Sequence, residues 1–563
     1  MRVEHPEDSK KIETIIEAFD YERTLRAKSD PLRFEAMSLL GHRTKSLSAC
    51  DDSPVEDKRL YEGEDAKAIE TLESGFNSAL MSQNSKWFAC NIVPRIYRMG
   101  QSPIEDLEYT SYVEKAMMDE FATSNMYASS KLASKDAIIG GYSCQLVQED
   151  ETRHRTFYDT LVPWRCWFNH DRYYNWDTFF YTYTLNGYEM LERFPNLSDT
   201  LRKQCIQGRS SARYRMLFAI VDRKKMFGSD GQPISFLVGK NMKYAALQIA
   251  MDTQEIVEES GYNDFPVVIH TWEQISDSHY GVGIPMKYIA EFRRLHSIAY
   301  EAGVAFAKIN HKAWNVPEGI KETFSDEPYA RNYFTSQNDI PQPMDKDPDI
   351  KSIQEYYMNQ VDIIRRICYN DYMNFLTTHD SVYTATQVNQ IKSESLAQIA
   401  PLSDNVLNQK LLPILKLTYV NMLNNGRITR PNHGVMADFD QNGEPKNAVR
   451  FSFVSAMSDQ LMMYTQSNAA QYIADLGAAY VNITQDPTLM SKNFKVSNIL
   501  KVAAKAAGAD ADFIMTDEET KKMEEEQAKA AQQQQQMALL QQASEIDRNE
   551  AGASNLNNAQ GMR

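Results

Sequence analysis

Residues 265–319 read FPVVIHTWEQISDSHYGVGIPMKYIAEFRRLHSIAYEAGVAFAKINHKAWNVPEG. The branched and aromatic start, Phe265 to Trp272, predicts a buried strand. A polar turn and a tight Gly281-Val282-Gly283 turn follow, and then a long helix over 285–310 that stops at a Pro-Glu-Gly loop. Pro285 stands in the first helical turn, where no backbone N–H is needed. Ile289, Phe292, Leu295, Ala299, Ala302, Phe306 and Ile309 recur at steps of three and four, which is the helical period. The middle of this helix is small: Ala299, Ala302, Gly303, Ala305 and Ala307 let neighbouring helices approach closely. A long helix that is small on more than one side suits packing among many copies of itself.

A strand, a GxG turn and a helix also suggest a phosphate loop. The third glycine of a dinucleotide fingerprint is missing, however, and Pro285 removes an amide that a phosphate would use. A plain tight turn is the simpler reading.

Downstream, residues 311–351 hold Pro317, Pro328, Pro341, Pro343 and Pro348, too many for continuous helix. Trp314, Phe324, Tyr329, Tyr333 and Phe334 lie between them. A second helix is predicted over 352–376. A polar break, TTHDSVYTA, separates it from a third over about 386–424, perturbed by Pro401 and Pro413 and ended by Asn425-Gly426. A strand is predicted over 447–454 and helices over 457–510. The Glu- and Gln-rich residues from 517 on favour helix but have too narrow an apolar face for a core, and 547–563 read as disordered.

Upstream, the period changes. GYSCQLVQ, RTFYDTLVPWRCWF, TFFYTYTL, RYRMLFAIVDR, ISFLVGK and FPVVIHTW, between residues 141 and 275, read as strands. Helical stretches over 187–194 and 198–206 interrupt them. Residues 105–139 carry a helical stripe of Val113, Met117, Phe121 and Met126, and 65–83 form an amphipathic helix before a short strand at Lys86-Trp87-Phe88. Residues 1–60 read as helix and loop with charged faces.

The chain has 563 residues, 42% apolar and 24% charged, with 30 Tyr and 24 Phe, enough for several packed domains. Its formal net charge of −16 disfavours tight non-specific nucleic-acid binding, which rests on neutralising phosphates. The same charge suits a surface that nucleic acid must slide past. The six cysteines form no CxxC pair and read as scattered reduced thiols. The N-terminus shows no secretory signal, and no apolar run approaches the ~20 residues of a membrane span. The expectation is a chain soluble when made.

No catalytic constellation stands out. The ten histidines are spread thinly and none has i, i+4 metal-ligand spacing with a second ligand. There is no Gly-x-Ser-x-Gly, Walker lysine or HExxH. Adjacent pairs such as Glu149/Asp150 and His170/Asp171 point to opposite faces of a strand. The expectation is no enzyme activity, no catalytic residue, no metal and no cofactor.

The order of segments resembles the portal, or head-to-tail connecting, proteins of short-tailed bacteriophages. The likeness covers roughly residues 65–530. It is carried by LESGFNSALMSQNSKWF (72–88), by the block from Glu114 to Asp150, by Phe157–Phe168, by the Phe265 stretch with its Tyr-Gly-x-Gly turn, and by TATQVNQIKSESLAQIAPLSDNVLNQKLLPILKLTYVNML (384–423). The glutamine-rich tail is also family-like. Ser124-Asn125-Met126 departs from the family's usual Ser-Asn-Phe, and residues 1–60 match poorly.

The resemblance implies an α+β portal fold with a mixed α/β wing, a two-helix stem, a small clip insertion and a helical crown, assembled as a ring. Residues 1–284 would be the N-terminal part of the wing, 285–310 and 352–376 the stem, and 311–351 the clip. Residues 377–385 would be a tunnel loop, 386–440 the C-terminal part of the wing, 441–515 the crown and 516–563 a partly disordered extension. Ala299, Ala302 and Gly303 would pack stem helices, and Phe324, Tyr329, Tyr333 and Phe334 would dock partners. Thr377, Thr378, His379, Asp380 and Ser381 would face DNA, with Lys351, Arg365 and Arg366 as channel bases.

The implied assembly is a homo-oligomer, probably of twelve subunits, in the virion at one capsid vertex. It would be made in the host bacterial cytoplasm, with no membrane role. Double-stranded DNA would pass through it during packaging and ejection. The terminase large subunit and then tail or adaptor proteins would dock on it, beside major capsid and scaffolding proteins. Twelve helices at ~10 Å spacing give an axis radius of ~19 Å, room for a duplex. The competing readings are a tail-tube or adaptor ring without a packaging role, and a nucleotide-binding enzyme using the GVG turn.

Overall fold

The computed structural model describes residues 6–40, 61–92, 103–373, 401–429 and 438–454, apart from short internal gaps. By packing, the chain divides into Met1–Ser458 and Asp459–Arg563, and every described residue belongs to the first unit. The expectations placed on 377–385, on 386–400, on 457–510 and on the tail therefore lie outside the described residues, as does Tyr329.

Helices α1 (Pro6–Ala27), α2 (Asp30–Leu39) and α3 (Glu64–Leu80) come first, then strand β1 (Phe88–Ile92), α4 (Pro103–Thr123) and α5 (Met126–Gly140). The strand-rich part holds β2 (Tyr142–Asp150), β3 (Arg155–Leu161), β4 (Cys166–His170) and β5 (Trp176–Asn186). After α6 (Gly187–Arg193) and α7 (Asp199–Gly208) it continues with β6 (Arg213–Asp222), β7 (Tyr244–Ala250), β8 (Glu255–Tyr262) and β9 (Val267–Thr271). A short α8 (Ile284–Lys287) leads into α9 (Ile289–Asn310). A two-residue ribbon, β10 (Trp314–Asn315) with β11 (Gln342–Pro343), precedes α10 (Ile350–Ile367). The helix over 401–424 contains α11 (Leu412–Asn424), and a second small ribbon, β12 (Asp438–Phe439) with β13 (Pro445–Lys446), leads to β14 (Val449–Phe453).

Strands β4-β5-β6-β7-β8 form one antiparallel sheet, and β3-β2-β9 form another. The central strands are covered on both faces. Met216, Phe218, Ile220 and Ala246 pack toward Cys144, Leu146 and Ile269 of the smaller sheet. Leu217, Ala219, Val221, Ala245, Leu247 and Ile249 pack under Ile12, Ile15 and Phe19 of α1. Two-sided burial is why RYRMLFAIVDR reads as a continuous apolar run rather than an alternating one.

A few charged side chains of the N-terminal helices turn inward, while the rest stay in solvent. Lys11 is fully buried and pairs with Glu259 at 3.1 Å. The Arg26 guanidinium donates to the carbonyls of Trp164 and Cys166 at 2.7 and 2.6 Å and lies over the Trp167 ring. Arg33 donates to the Gly140 carbonyl at 2.8 Å. A buried charge is tolerated only with such partners, so α1 and α2 are fixed parts of this unit.

The structure corrects several expected elements. The 105–139 helix is two helices. Between them, Asn125 accepts from the Tyr158 N–H at 3.0 Å and donates to its carbonyl at 2.8 Å, bonding like a strand neighbour of β3. The described residues of ISFLVGK form no strand. Pro233 makes only an isolated bridge with Phe227, and Phe236 instead plugs the core under α1. The strands that complete the large sheet are β7 and β8. The 352–376 helix ends its regular run at Ile367, because Tyr369 turns to a φ of 54°. Pro413 cannot donate to the Gln409 carbonyl, and the helix there takes a π turn over Leu407–Leu411. β14 pairs with β1, so residues 449–453 lie beside the strand that follows α3.

The π turn has a structural use. Gln409 accepts from the Thr271 N–H at 3.0 Å and hydroxyl at 2.8 Å, and Asn405 donates to the Trp272 carbonyl at 3.3 Å. These side chains occupy backbone groups at the edge strand β9, which would otherwise stand open.

Candidate assembly interface

The GVG turn is filled by protein. Gly141, at a φ of 89°, and Gly281 face each other so closely that a Cβ on either would overlap the other's carbonyl. A Cβ on Gly283 would overlap the carbonyls of Ile138 and Ile139 at the end of α5. The Trp272 N–H donates to Gly141 at 2.9 Å and the Val282 N–H to Glu273 at 2.8 Å. These glycines bring a strand, a turn and a helix end into backbone contact, and the space that a phosphate would need is occupied.

Helix α9 packs along α10, and its first half is closed by its own chain. Phe292, Leu295 and Ile298 are buried, as are Val361 and Ile364 of α10. Gln360 donates to the Glu291 carboxylate at 2.8 Å. The His296 Nδ1 accepts from the Tyr61 N–H at 3.3 Å, so the proton sits on Nε2, which donates to buried Asp65 at 3.0 Å. Arg365 donates to Glu64 at 2.8 Å and Tyr357 to Glu62 at 2.6 Å. Glu62 stands just before α3 and Glu64 opens it, so that helix anchors the root of the pair.

The second half of α9 is open. Tyr300, Val304 and Phe306 are exposed, as are Tyr356 and Met358 on α10. Ala299, Ala302 and Gly303 line a groove of about 330 Å³ against Ile353 and Tyr357. A Cβ on Gly303 would meet nothing within 4 Å, so the protomer itself does not require glycine there. The small residues expected to pack stem helices therefore stand together on an open face.

The expected docking aromatics separate. Phe324 is half-buried against Trp314, ring centroids 5.9 Å apart. Tyr333 is 82% exposed and Phe334 is exposed beside it, with Ile340 and Met344 exposed in the same segment. The three expected channel bases also differ. Lys351 and Arg366 are exposed, whereas Arg365 is held by Glu64 and lies 3.8 Å from Asp362. Sequence reasoning missed the anchoring set Glu62, Glu64, Asp65 and His296. The three carboxylates are neighbours in sequence, but His296, Tyr357 and Arg365, which they hold, lie more than two hundred residues away, and only folding brings them together.

Among the described residues, no helix is long and apolar enough to cross a membrane and no group of three or more His, Cys, Asp or Glu could hold a metal. The described residues form a mixed helix and sheet protein whose α9–α10 pair exposes apolar side chains at one end. The chain belongs to the bacteriophage head to tail connecting protein family, which matches residues 13–515. Membership makes it a structural component of the phage virion, of a kind that interacts with capsid and tail. The match takes in most of α1, whose buried charges tie it to the sheets. No curated protein matches the chain.

Proposed function

We propose that this protein is a portal subunit that assembles into a ring, of twelve copies, at one capsid vertex. The observation that carries the reading is the open half of the α9–α10 pair, where small and apolar residues face solvent in the single subunit. Monomers rarely leave such contiguous apolar surface uncovered, and side-by-side copies would cover it. In this reading the helices over 285–310 and 352–376 are the stem and residues 311–351 the clip. Residues 1–284, which hold both sheets, and 386–440 are the wing, and 441–515 form the crown.

The ring would be the passage for double-stranded DNA during packaging and ejection. The exposed Tyr333 and Phe334 would dock the terminase large subunit and afterwards tail or adaptor proteins. An acidic wall would keep phosphates from binding tightly. Lys351 and Arg366 are the bases free to make transient contacts, whereas Arg365 spends its charge on Glu64. Residues 377–381, with His379 able to carry charge near neutral pH, would be the DNA-facing loop.

Electron microscopy of the purified protein tests the assembly. Rings with a central hole support the reading, and a compact monomer under every condition sinks it. Particles made with 377–382 shortened test the loop. Rings should still assemble while DNA content falls, and full, stably retained genomes would reduce that segment to a hinge.

A further inference from the structure

Two histidines far apart in sequence meet at the edge of the large sheet. His170 ends β4, and His279 lies in the loop between β9 and the GVG turn. The His279 Nδ1 stands 3.1 Å from the His170 Nε2, and the ring centroids are 4.6 Å apart. The other nitrogen of His170, Nδ1, lies 2.8 Å from the Asp171 carbonyl, which can only accept. Nδ1 therefore holds the proton, and Nε2 presents its lone pair toward His279. The Asp171 carboxylate fixes this corner by accepting from the N–H groups of Tyr173 and Asn175 at 2.7 and 2.9 Å.

The pair opens onto a cavity of about 560 Å³ whose walls include Tyr174, Gln274, Ser276 and Ser278. Such a space holds water, and its walls supply hydroxyl and amide groups to orient that water. The separation of the nitrogens matches a shared metal. With metal–nitrogen bonds of about 2.0–2.1 Å, two ligands lie about 2.9 Å apart at a right angle and about 3.4 Å apart at the tetrahedral angle. The observed 3.1 Å falls between. A carbonyl on the far nitrogen of a ligating imidazole is also the usual arrangement that fixes tautomer and ring direction.

We propose that His170 and His279 form a two-imidazole site for a late first-row divalent cation such as zinc or nickel, with water completing the coordination. Imidazole suits these metals, whereas calcium and magnesium prefer oxygen ligands. His279 must move its proton from Nδ1 to Nε2 to ligate, which leaves the ring neutral. Among the described residues no third His, Cys, Asp or Glu joins the pair, so the ion is exchangeable rather than a permanent structural centre. Bound there, it ties the β4–β5 turn to the loop that leads into α8 and α9.

The test uses the untagged full chain, stripped with EDTA and titrated with zinc and, separately, with cobalt as a spectroscopic probe. The wild type should gain several degrees of thermal midpoint with zinc and show cobalt absorption bands. His279→Gln keeps a side-chain N–H to donate to His170 and so preserves the fold, but both signals should be lost. His170→Asn should lose them too. No response in the wild type, or an equal response in His279→Gln, would overturn the proposal and leave an ordinary imidazole–imidazole hydrogen bond. Wild type and variant are compared at matched oligomeric state, so the result does not depend on ring assembly.

Discussion

The two halves of α9 are built from similar residues and treated differently by the fold. Phe292, Leu295 and Ile298 are buried, and His296 spends both ring nitrogens on Tyr61 and Asp65. One turn later Tyr300, Val304 and Phe306 stand exposed beside Ala302 and Gly303. In the second half of this 22-residue helix Tyr300 lies against Tyr61, ring centroids 4.8 Å apart, and Ala302 and Gly303 line the groove toward α10, while the outward side is left to solvent. The first half is explained by intramolecular packing. The outward side of the second fits the neighbouring copy of the proposed ring.

The sharpest way to break this comparison is to fill the open half. Gly303→Leu should leave the single subunit folded, because its Cβ meets nothing, with a stability change within about half a kcal/mol. Ring assembly should be lost, by steric overlap with the adjacent copy. Sedimentation velocity reads the outcome, and unchanged rings would refute the placement. The closed half should respond in the opposite way. Phe292→Ala empties a fully buried site and should cost about 3–5 kcal/mol in folding. Urea unfolding of the subunit measures it, and a loss below about 1 kcal/mol would deny the root its role in the core.

Periodicity made much of this architecture readable before any coordinates. The helix at 64–80, the strands from 142 to 222 and the helix pair around 311–349 follow from the spacing of apolar residues and from proline. What stayed hidden depends on partners far away in sequence. YAALQIA is a poor strand former by composition, yet β7 is fully buried between β6 and β8. The helix breaks at Asn125 and Tyr369 arise where tertiary bonding or a left-handed φ wins over helical pattern. Lys11, Arg26 and Arg33 read as solvated charge because their carbonyl and carboxylate partners come from distant strands and helix ends. The stem and clip candidates were legible as small and aromatic clusters. Which of them face outward was not, since exposure is a property of the packed chain. The His170–His279 pair, separated by 109 positions, left no local signal at all.

A smaller effect probes the body behind the closed half. Lys410, on the π turn, is fully buried and donates to the Ser130 carbonyl at 2.7 Å and the Ser134 hydroxyl at 2.6 Å. Burial pulls its ammonium down to about 7, partly opposed by Glu73. Nearby His270 is buried with no hydrogen-bond partner on either ring nitrogen and is held down to about 3, by burial first and by Lys410 second. The unfolded lysine keeps its proton up to about 10.5, so the unfolded state binds more protons between pH 7 and that value. Stability should therefore rise with pH above 7, and the cost of the buried charge is present in full below it. Lys410→Met should stabilise the subunit by roughly 1–3 kcal/mol at pH 7 and flatten the slope between pH 7 and 9.5. Denaturant unfolding at several pH values checks both, and an unchanged slope would mean that the amine stays protonated in the folded protein across that range, with no lowering by burial.

The smallest effect on the subunit itself belongs to the tip of the insertion. Tyr333 is 82% exposed, Phe334 is exposed, and Phe324 is tucked against Trp314. The pair Tyr333→Ser and Phe334→Ser should change folding by no more than about half a kcal/mol, as exposed substitutions do. It should also leave the proposed ring intact, since the face proposed for assembly runs along α9. Phe324→Ser should destabilise the insertion, because it removes half of an edge-to-face ring contact. The division between the two variants is what matters. Exposed aromatic residues are favoured as anchors in protein interfaces. If capture of the packaging and tail partners falls with Tyr333→Ser/Phe334→Ser while melting and sedimentation stay at wild-type values, the tip is a docking surface in its own right. If capture is untouched, the outward aromatics do not dock partners, and the open half of α9 is left as the surface through which this molecule meets others.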